Sequence, residues 1–241
     1  MSELAKKMDD GYKLSTFSQG VKDCIPTLFG YISIGIAAGI VGASSNLSVL
    51  EVALLSILVY AGASQFIICA LIVAGSPFSV IVFTTFIVNL RHLLLSMTLA
   101  PYFTNYSLLK NIGIGALVTD ESFGVAANKI VQKETFNDRW MNGLNITAYI
   151  FWILSCVAGA IFGKWISNPE VLGLDFALTA MFLALLVLQL EHIDVGKLNF
   201  YLSLIGYVVV LMIVFCLFVP SYIAILLTTV IVATIGVVKD K

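Results

Sequence analysis

The chain is a succession of long apolar stretches cut by short polar ones, and the lengths of those stretches predict helices that cross a membrane. Residues 52–90 contain no Asp, Glu, Lys or Arg. As one helix they would be roughly 58 Å long at ~1.5 Å per residue, against a hydrocarbon layer of about 30 Å. The stretch is therefore expected to cross twice, turning at Gly75-Ser76-Pro77. Residues 198–238 are likewise free of charge, and Pro220-Ser221 divides them into two further spans. Residues 26–43, 111–130, 141–163 and 172–190 complete an expected set of eight. The weakest is 111–130, which contains Thr119-Asp120-Glu121-Ser122. If that segment is re-entrant, the count falls to six or seven.

Composition supports the same class. Of 241 residues, 60% are hydrophobic and 11% charged, whereas charged residues make up about a quarter of a soluble domain. The expected fold is an all-α, polytopic transmembrane helix bundle with at least one interrupted helix and both termini cytoplasmic. Residues 1–22 read as a cytoplasmic tail with some amphipathic helix around 12–21, residues 23–238 as the transmembrane domain, and 239–241 as the cytoplasmic C-terminus. Charge bias sets this orientation. Lys6, Lys7, Lys13, Lys22, Lys129, Lys133, Arg139, Lys197, Lys239 and Lys241 fall on one side in the eight-span arrangement, and only Lys110 and Lys164 on the other. No secretory signal pattern precedes residue 24. Cys24, Cys69, Cys156 and Cys216 lie at wide spacings in or beside apolar segments and read as packing residues, with no metal site or cofactor implied.

Three patches interrupt this apolar background. Tyr60-Ala61-Gly62-Ala63-Ser64-Gln65-Phe66 places small residues and an amide in mid-span, where a helix unwinds at low cost and frees backbone groups for a ligand. The alternative is tight helix packing, with Gln65 bonded to a neighbour. In the third span Thr85, Asn89, His92 and Ser96 form one polar stripe at helical spacing. Arg91 points elsewhere on a straight helix, so either the helix is broken there or Arg91 meets another polar segment. Asp120 and Glu121 are the candidate partners, Asp120 sharing a helical face with Ala116, Gly124 and Asn128. Charges at this depth cost about 2.5–3.5 kcal/mol on insertion scales and mark a site by default. Helix registration by an ion pair is the structural alternative. Asp175 reads as a helix cap, Trp140 and Trp165 as interface residues, and Trp152 as a deeper packing residue.

On these motifs the chain resembles the AzlC family, the large subunit of branched-chain amino-acid exporters. The residues that carry the likeness are the Pro26–Gly39 pattern, the Tyr60–Phe66 patch, and Asn89-Leu90-Arg91-His92 with Ser96 and Ala100-Pro101-Tyr102. Thr119–Phe123, and Leu172–Ala177 leading into Met181–Leu186, extend it. The resemblance implies a secondary transporter in the cytoplasmic membrane that exports leucine, isoleucine, valine and similar apolar amino acids, driven by an ion gradient. It also implies a small four-span partner of the AzlD type. No nucleic acid is expected as a partner.

The site residues follow from the chemistry of a zwitterion, which needs a cation or helix N-terminus for its carboxylate and an acceptor for its ammonium. Arg91 or the backbone near Gly62 takes the carboxylate, Asp120 or Glu121 the ammonium, and Ser64, Gln65 and Asn89 orient the solute. Imidazoles exchange protons near neutral pH, which makes His92 the proton-coupling candidate. The rival readings are an intramembrane hydrolase using Ser64 and His92, and a channel or membrane anchor without carrier activity.

Overall fold

The computed structural model describes residues 16–165, 195–219 and 221–239, with isolated positions between 176 and 190. The chain divides into two compact units, Met1–Leu178 and Thr179–Lys241. In the first unit the helices are α1 (Phe17–Ser44), α2 (Val49–Leu58), α3 (Gly62–Val73), α4 (Phe78–Leu99, continued by a 3-10 turn to Phe103), α5 (Leu108–Ala116), α6 (Asp120–Val131) and α7 (Asp138–Gly163). The second unit contains α8 (Val195–Cys216) and α9 (Ser221–Lys239), which pack against each other. The described residues form an all-α membrane helix bundle. Among the described residues four helical segments are long and apolar enough to cross a bilayer: Phe17–Ser44, Phe78–Phe103, Asp138–Gly163 and Gly196–Cys216.

The spine of the first unit is the parallel pair α1 and α7. Glycines bring the two backbones into direct contact: a Cβ on Gly39 would lie 2.0 Å from the Cys156 carbonyl oxygen, and one on Gly159 would lie 2.1 Å from that of Ile36. Gly20 and Gly143 repeat this at the other end, against Trp140 and Phe17. In a bilayer, where lipid tails are as apolar as leucine, such close approach is what holds helices together.

Two of the segments expected to cross do not. α2 and α3 are 10 and 12 residues long, each about 15–18 Å at 1.5 Å per residue and so only half a ~30 Å layer. The Gln65 amide donates to the Ser56 hydroxyl at 3.0 Å, although nine positions along a continuous helix would separate them by about 13 Å. The α2–α3 segment therefore folds back on itself at residues 59–61 and returns to the end of the bundle from which it entered.

The α5–α6 segment does the same from the opposite end, turning at 117–119. Lys110, in the first turn of α5, is 2.8 Å from Asp138 at the start of α7. Lys129, in the last turn of α6, reaches Asp23 near the start of α1 at 3.6 Å. Both arms of this second hairpin thus open at the end where α1 begins. Residues 111–130 are re-entrant, the alternative left open above, and so is the segment expected as the second span. The physical reason is that each break is buried in protein and bonded by it, so the chain can reverse at mid-depth.

This changes one side assignment. Lys110 joins Lys22, Lys129, Lys133 and Arg139 at the N-terminal end of the unit, leaving Lys164 as the basic residue at the opposite end among the unit's described residues, so the bias is sharper than expected. Trp140 is also not an interface residue. It is fully buried, donates through Nε1 to Asp23 at 2.8 Å, and lies under the Lys129 ammonium. Trp152 is buried as expected. Asp175 and most of the 172–190 segment lie outside the described residues.

Single cysteines at Lys110 and Lys133 are expected to react with an impermeant maleimide from one face of oriented vesicles, and one at Asn46 from the other. Labelling of positions 110 and 46 from the same face would mean that the first hairpin is a full crossing, and labelling of 110 and 133 from opposite faces would mean that the second is.

Candidate functional site

The two hairpin tips lie to either side of α4, and the polar residues of α4 are divided between them. Asn89 accepts a hydrogen bond from the Ser64 hydroxyl of the first hairpin at 2.6 Å. Arg91, well round the helix from Asn89, places Nη2 2.8 Å from Asp120 Oδ2 in the second. His92 Nε2 is 3.9 Å from the same carboxylate oxygen, and the Ser96 hydroxyl donates to the Gly115 carbonyl at 3.1 Å. α4 is continuous here, so of the two outcomes posed by the sequence, Arg91 meets another polar segment. Thr85, the remaining stripe residue, has a buried hydroxyl without a hydrogen-bond partner among the described residues.

Local sequence explains each tip. Tyr60 adopts φ 44°, a left-handed conformation that is strained for a bulky side chain and that turns the chain between α2 and α3. Its ring meets Tyr149 edge-on at 4.7 Å. Ala61, at the N-cap of α3, supplies no side-chain cap. At the second tip Thr119 and Ser122 form a reciprocal capping box. Asp120 is the first residue of α6, where the positive end of the helix dipole favours a carboxylate. The break separates Asp120 from Ala116, so the single small and polar face expected across both residues does not exist.

Several residues at the site were not legible as such. The Tyr31 hydroxyl of α1 hydrogen-bonds the Thr119 hydroxyl at the second tip, and its ring meets Trp152 of α7 edge-on. Trp152 Nε1 donates to the Gln65 carbonyl oxygen at 2.8 Å. With its NH2 group on Ser56, Gln65 is committed at both ends of its amide and is 3% exposed. That matches the packing alternative: Gln65 pins the first hairpin to α7. Glu121 is half-buried and lies in the electrostatic neighbourhood of Tyr31 and Tyr60. Gly62 is partly buried as the first residue of α3. The structure therefore brings Arg91, His92 and Asp120 into one cluster and joins Ser64 to Asn89, with Gln65 acting behind them.

An ion pair where two re-entrant tips flank a membrane helix defines an all-helical integral membrane protein whose polar centre is enclosed by broken helices. Residues 26–166 match the family model described as AzlC protein. The inner membrane protein YgaZ of Escherichia coli (strain K12) is 30% identical over 183 residues, 74% of this chain and 75% of that protein. The branched-chain amino acid transport protein AzlC of Bacillus subtilis (strain 168) is 28% identical over 167 residues, covering 68% of this chain and 64% of its own length. An uncharacterized membrane protein of Archaeoglobus fulgidus is 29% identical over 182 residues, 74% of this chain and 78% of its own. No solved structure matches the chain. The chain belongs to the AzlC family.

Removing one member of a desolvated ion pair strands the other, which costs about 3–5 kcal/mol when the site is fully buried. In thermal unfolding in detergent, Arg91→Gln and Asp120→Asn are each expected to lower the midpoint, and the double variant to lower it by less than the sum. Strict additivity would show that the two groups are not coupled.

Proposed function

We propose that this chain is a secondary carrier that exports branched-chain and similar apolar amino acids across the cytoplasmic membrane, and that the amino acid inserts between Arg91 and Asp120. The observation that carries this reading is the 2.8 Å pair itself. With no solute between them the guanidinium and carboxylate neutralise each other. A zwitterion is also neutral overall, so exchanging one ion pair for two leaves no charge unmatched: the substrate carboxylate meets Arg91 and its ammonium meets Asp120, with Glu121 nearby. A simple amine or a simple carboxylic acid would leave one protein charge unpaired at mid-membrane depth, a cost of several kcal/mol. The pair thus selects for the amino-acid headgroup.

The supporting observations are of different kinds. Interrupted helices at mid-depth are where transporters commonly bind their solutes. The relative in Bacillus subtilis is named as a branched-chain amino acid transport protein. The basic residues at the N-terminal end of the first unit favour a cytoplasmic location for that end. His92 shares Asp120 with Arg91, so a proton on the imidazole alters the charge that faces the ammonium. This makes it the coupling residue of the proposal. An AzlD-type small membrane subunit completes it, as the family resemblance implies. The hydrolase reading is disfavoured because the Ser64 hydroxyl donates to Asn89 and His92 faces Asp120.

Counterflow of labelled against unlabelled leucine in liposomes tests the carrier. Exchange is expected with the wild-type chain and its small subunit, to be lost in Arg91→Ala and Asp120→Asn, and to be competed by valine and isoleucine but not by isopentylamine or 4-methylpentanoate. Normal exchange in both variants would sink the assignment. His92→Gln is expected to keep leucine–leucine exchange while flattening the pH profile of net export; an unchanged profile would remove His92 from coupling.

A further inference from the structure

We infer that the first unit is built from two inverted copies of one element, and that each copy's long helix latches the other copy's hairpin tip, making two gates that open on opposite faces. Within this unit, α1 followed by the α2–α3 hairpin is one copy, and α4 followed by the α5–α6 hairpin is the other. In each, a full crossing is followed by a hairpin that enters from the end where the crossing finished. The two crossings run in opposite directions, so the copies are related by an axis in the membrane plane.

The positions correspond at a constant interval. Tyr31 and Asn89 are 58 residues apart, as are Ala61 and Thr119, Gly62 and Asp120, and Ser64 and Ser122. The contacts correspond too. Tyr31, on the long helix of the first copy, holds Thr119 at the tip of the second hairpin. Asn89, its counterpart on the long helix of the second copy, holds Ser64 within one turn of the tip of the first. Tyr60, at the first tip, adds a buried hydroxyl with no hydrogen-bond partner among the described residues, and it neighbours Tyr31.

The consequence is directional. The first hairpin fills the route from the centre to the end opposite the N-terminus, so parting Ser64 from Asn89 frees that route. The second hairpin fills the route to the N-terminal end, so parting Tyr31 from Thr119 frees the other. In the present state both contacts are made. The charge pair breaks the equivalence of the copies, because the positions matching Arg91 and Asp120 in the first copy are Ser33 and Gly62. The second hairpin is therefore bound to its own long helix by a charge, whereas the first has no such tie at the matching positions.

This rests on the carrier reading, since two gates on one centre matter only if a solute passes between them, but it is read out without substrate. In a background with Cys24, Cys69, Cys156 and Cys216 replaced by alanine, reporter cysteines are placed at Ala61→Cys in the first tip and Val118→Cys in the second. An impermeant maleimide is applied to each face of vesicles, and labelling is scored only on protein that remains monodisperse after extraction.

Tyr31→Phe is expected to raise labelling of the reporter at 118 about five-fold from the N-terminal face alone, the effect of losing one hydrogen bond. Ser64→Ala is expected to raise labelling of the reporter at 61 from the opposite face alone. Thr119→Ala and Asn89→Ala break the same two contacts from their other sides and must reproduce the two patterns, while Thr119→Ser restores the closed one. Equal labelling from both faces, or no change in either pair of variants, overturns the gates. If the face-specific pattern appears while wild-type leucine counterflow fails, the gates stand and the substrate reading falls; intact counterflow without the pattern does the reverse.

Discussion

Inside a bilayer a peptide group that leaves its helix has no water to turn to, so protein must answer every break. Among its described residues the first unit has two such breaks, and the rest of the described architecture is arranged to satisfy them. α7 supplies one partner at each break. The Tyr149 hydroxyl donates to the Ile57 carbonyl at 2.9 Å below the first tip, and the Asn145 amide donates to the Ile114 carbonyl at 3.1 Å below the second. Ser96 of α4 takes the neighbouring Gly115 carbonyl, and Ser122 takes the Thr119 amide. α7 can serve both tips because its own position is fixed by backbone contact with α1 through Gly39 and Gly159. The glycine spine, the side chains that answer the breaks and the re-entrant hairpins are one connected solution.

The charged centre depends on the same arrangement. Asp120 is tolerable at this depth because it begins a helix, where backbone dipoles favour it, and because Arg91 and His92 converge on it from one neighbouring helix. That convergence needs the second hairpin to end beside α4, which the Lys110–Asp138 and Lys129–Asp23 pairs secure from the base. Gln65 shows how far support extends behind the centre. Its amide spans from Ser56 to Trp152, and through it α7 fixes the hairpin whose Ser64 faces Asn89.

Much of the site was legible because charge and polarity are conspicuous against apolar sequence. Arg91, His92, Asn89 and Asp120 stand out, and the structure sets Asn89 against Ser64 and both Arg91 and His92 against Asp120, while Thr85 of the same stripe has no hydrogen-bond partner among the described residues. Tyr31 was not legible, since one tyrosine in a span of small residues carries no periodic signal. Its correspondence with Asn89 is an interval that acquires meaning only when the hairpins are seen to be inverted. Trp140 was misplaced for a related reason: an aromatic ring at a helix end reads as an interface anchor until Asp23 and Lys129 are found around it.

The sequence by itself determined that this is a helical membrane protein with a charged centre, because hydropathy and the cost of burying a charge act residue by residue. Only the tertiary structure decided that residues 49–73 and 108–131 turn back instead of crossing. A helix of half the bilayer's thickness satisfies its own backbone equally well whether the next one continues or reverses. The choice is made at the tips, by hydrogen bonds to side chains distant in sequence, and those partners meet only once α1 and α7 have packed.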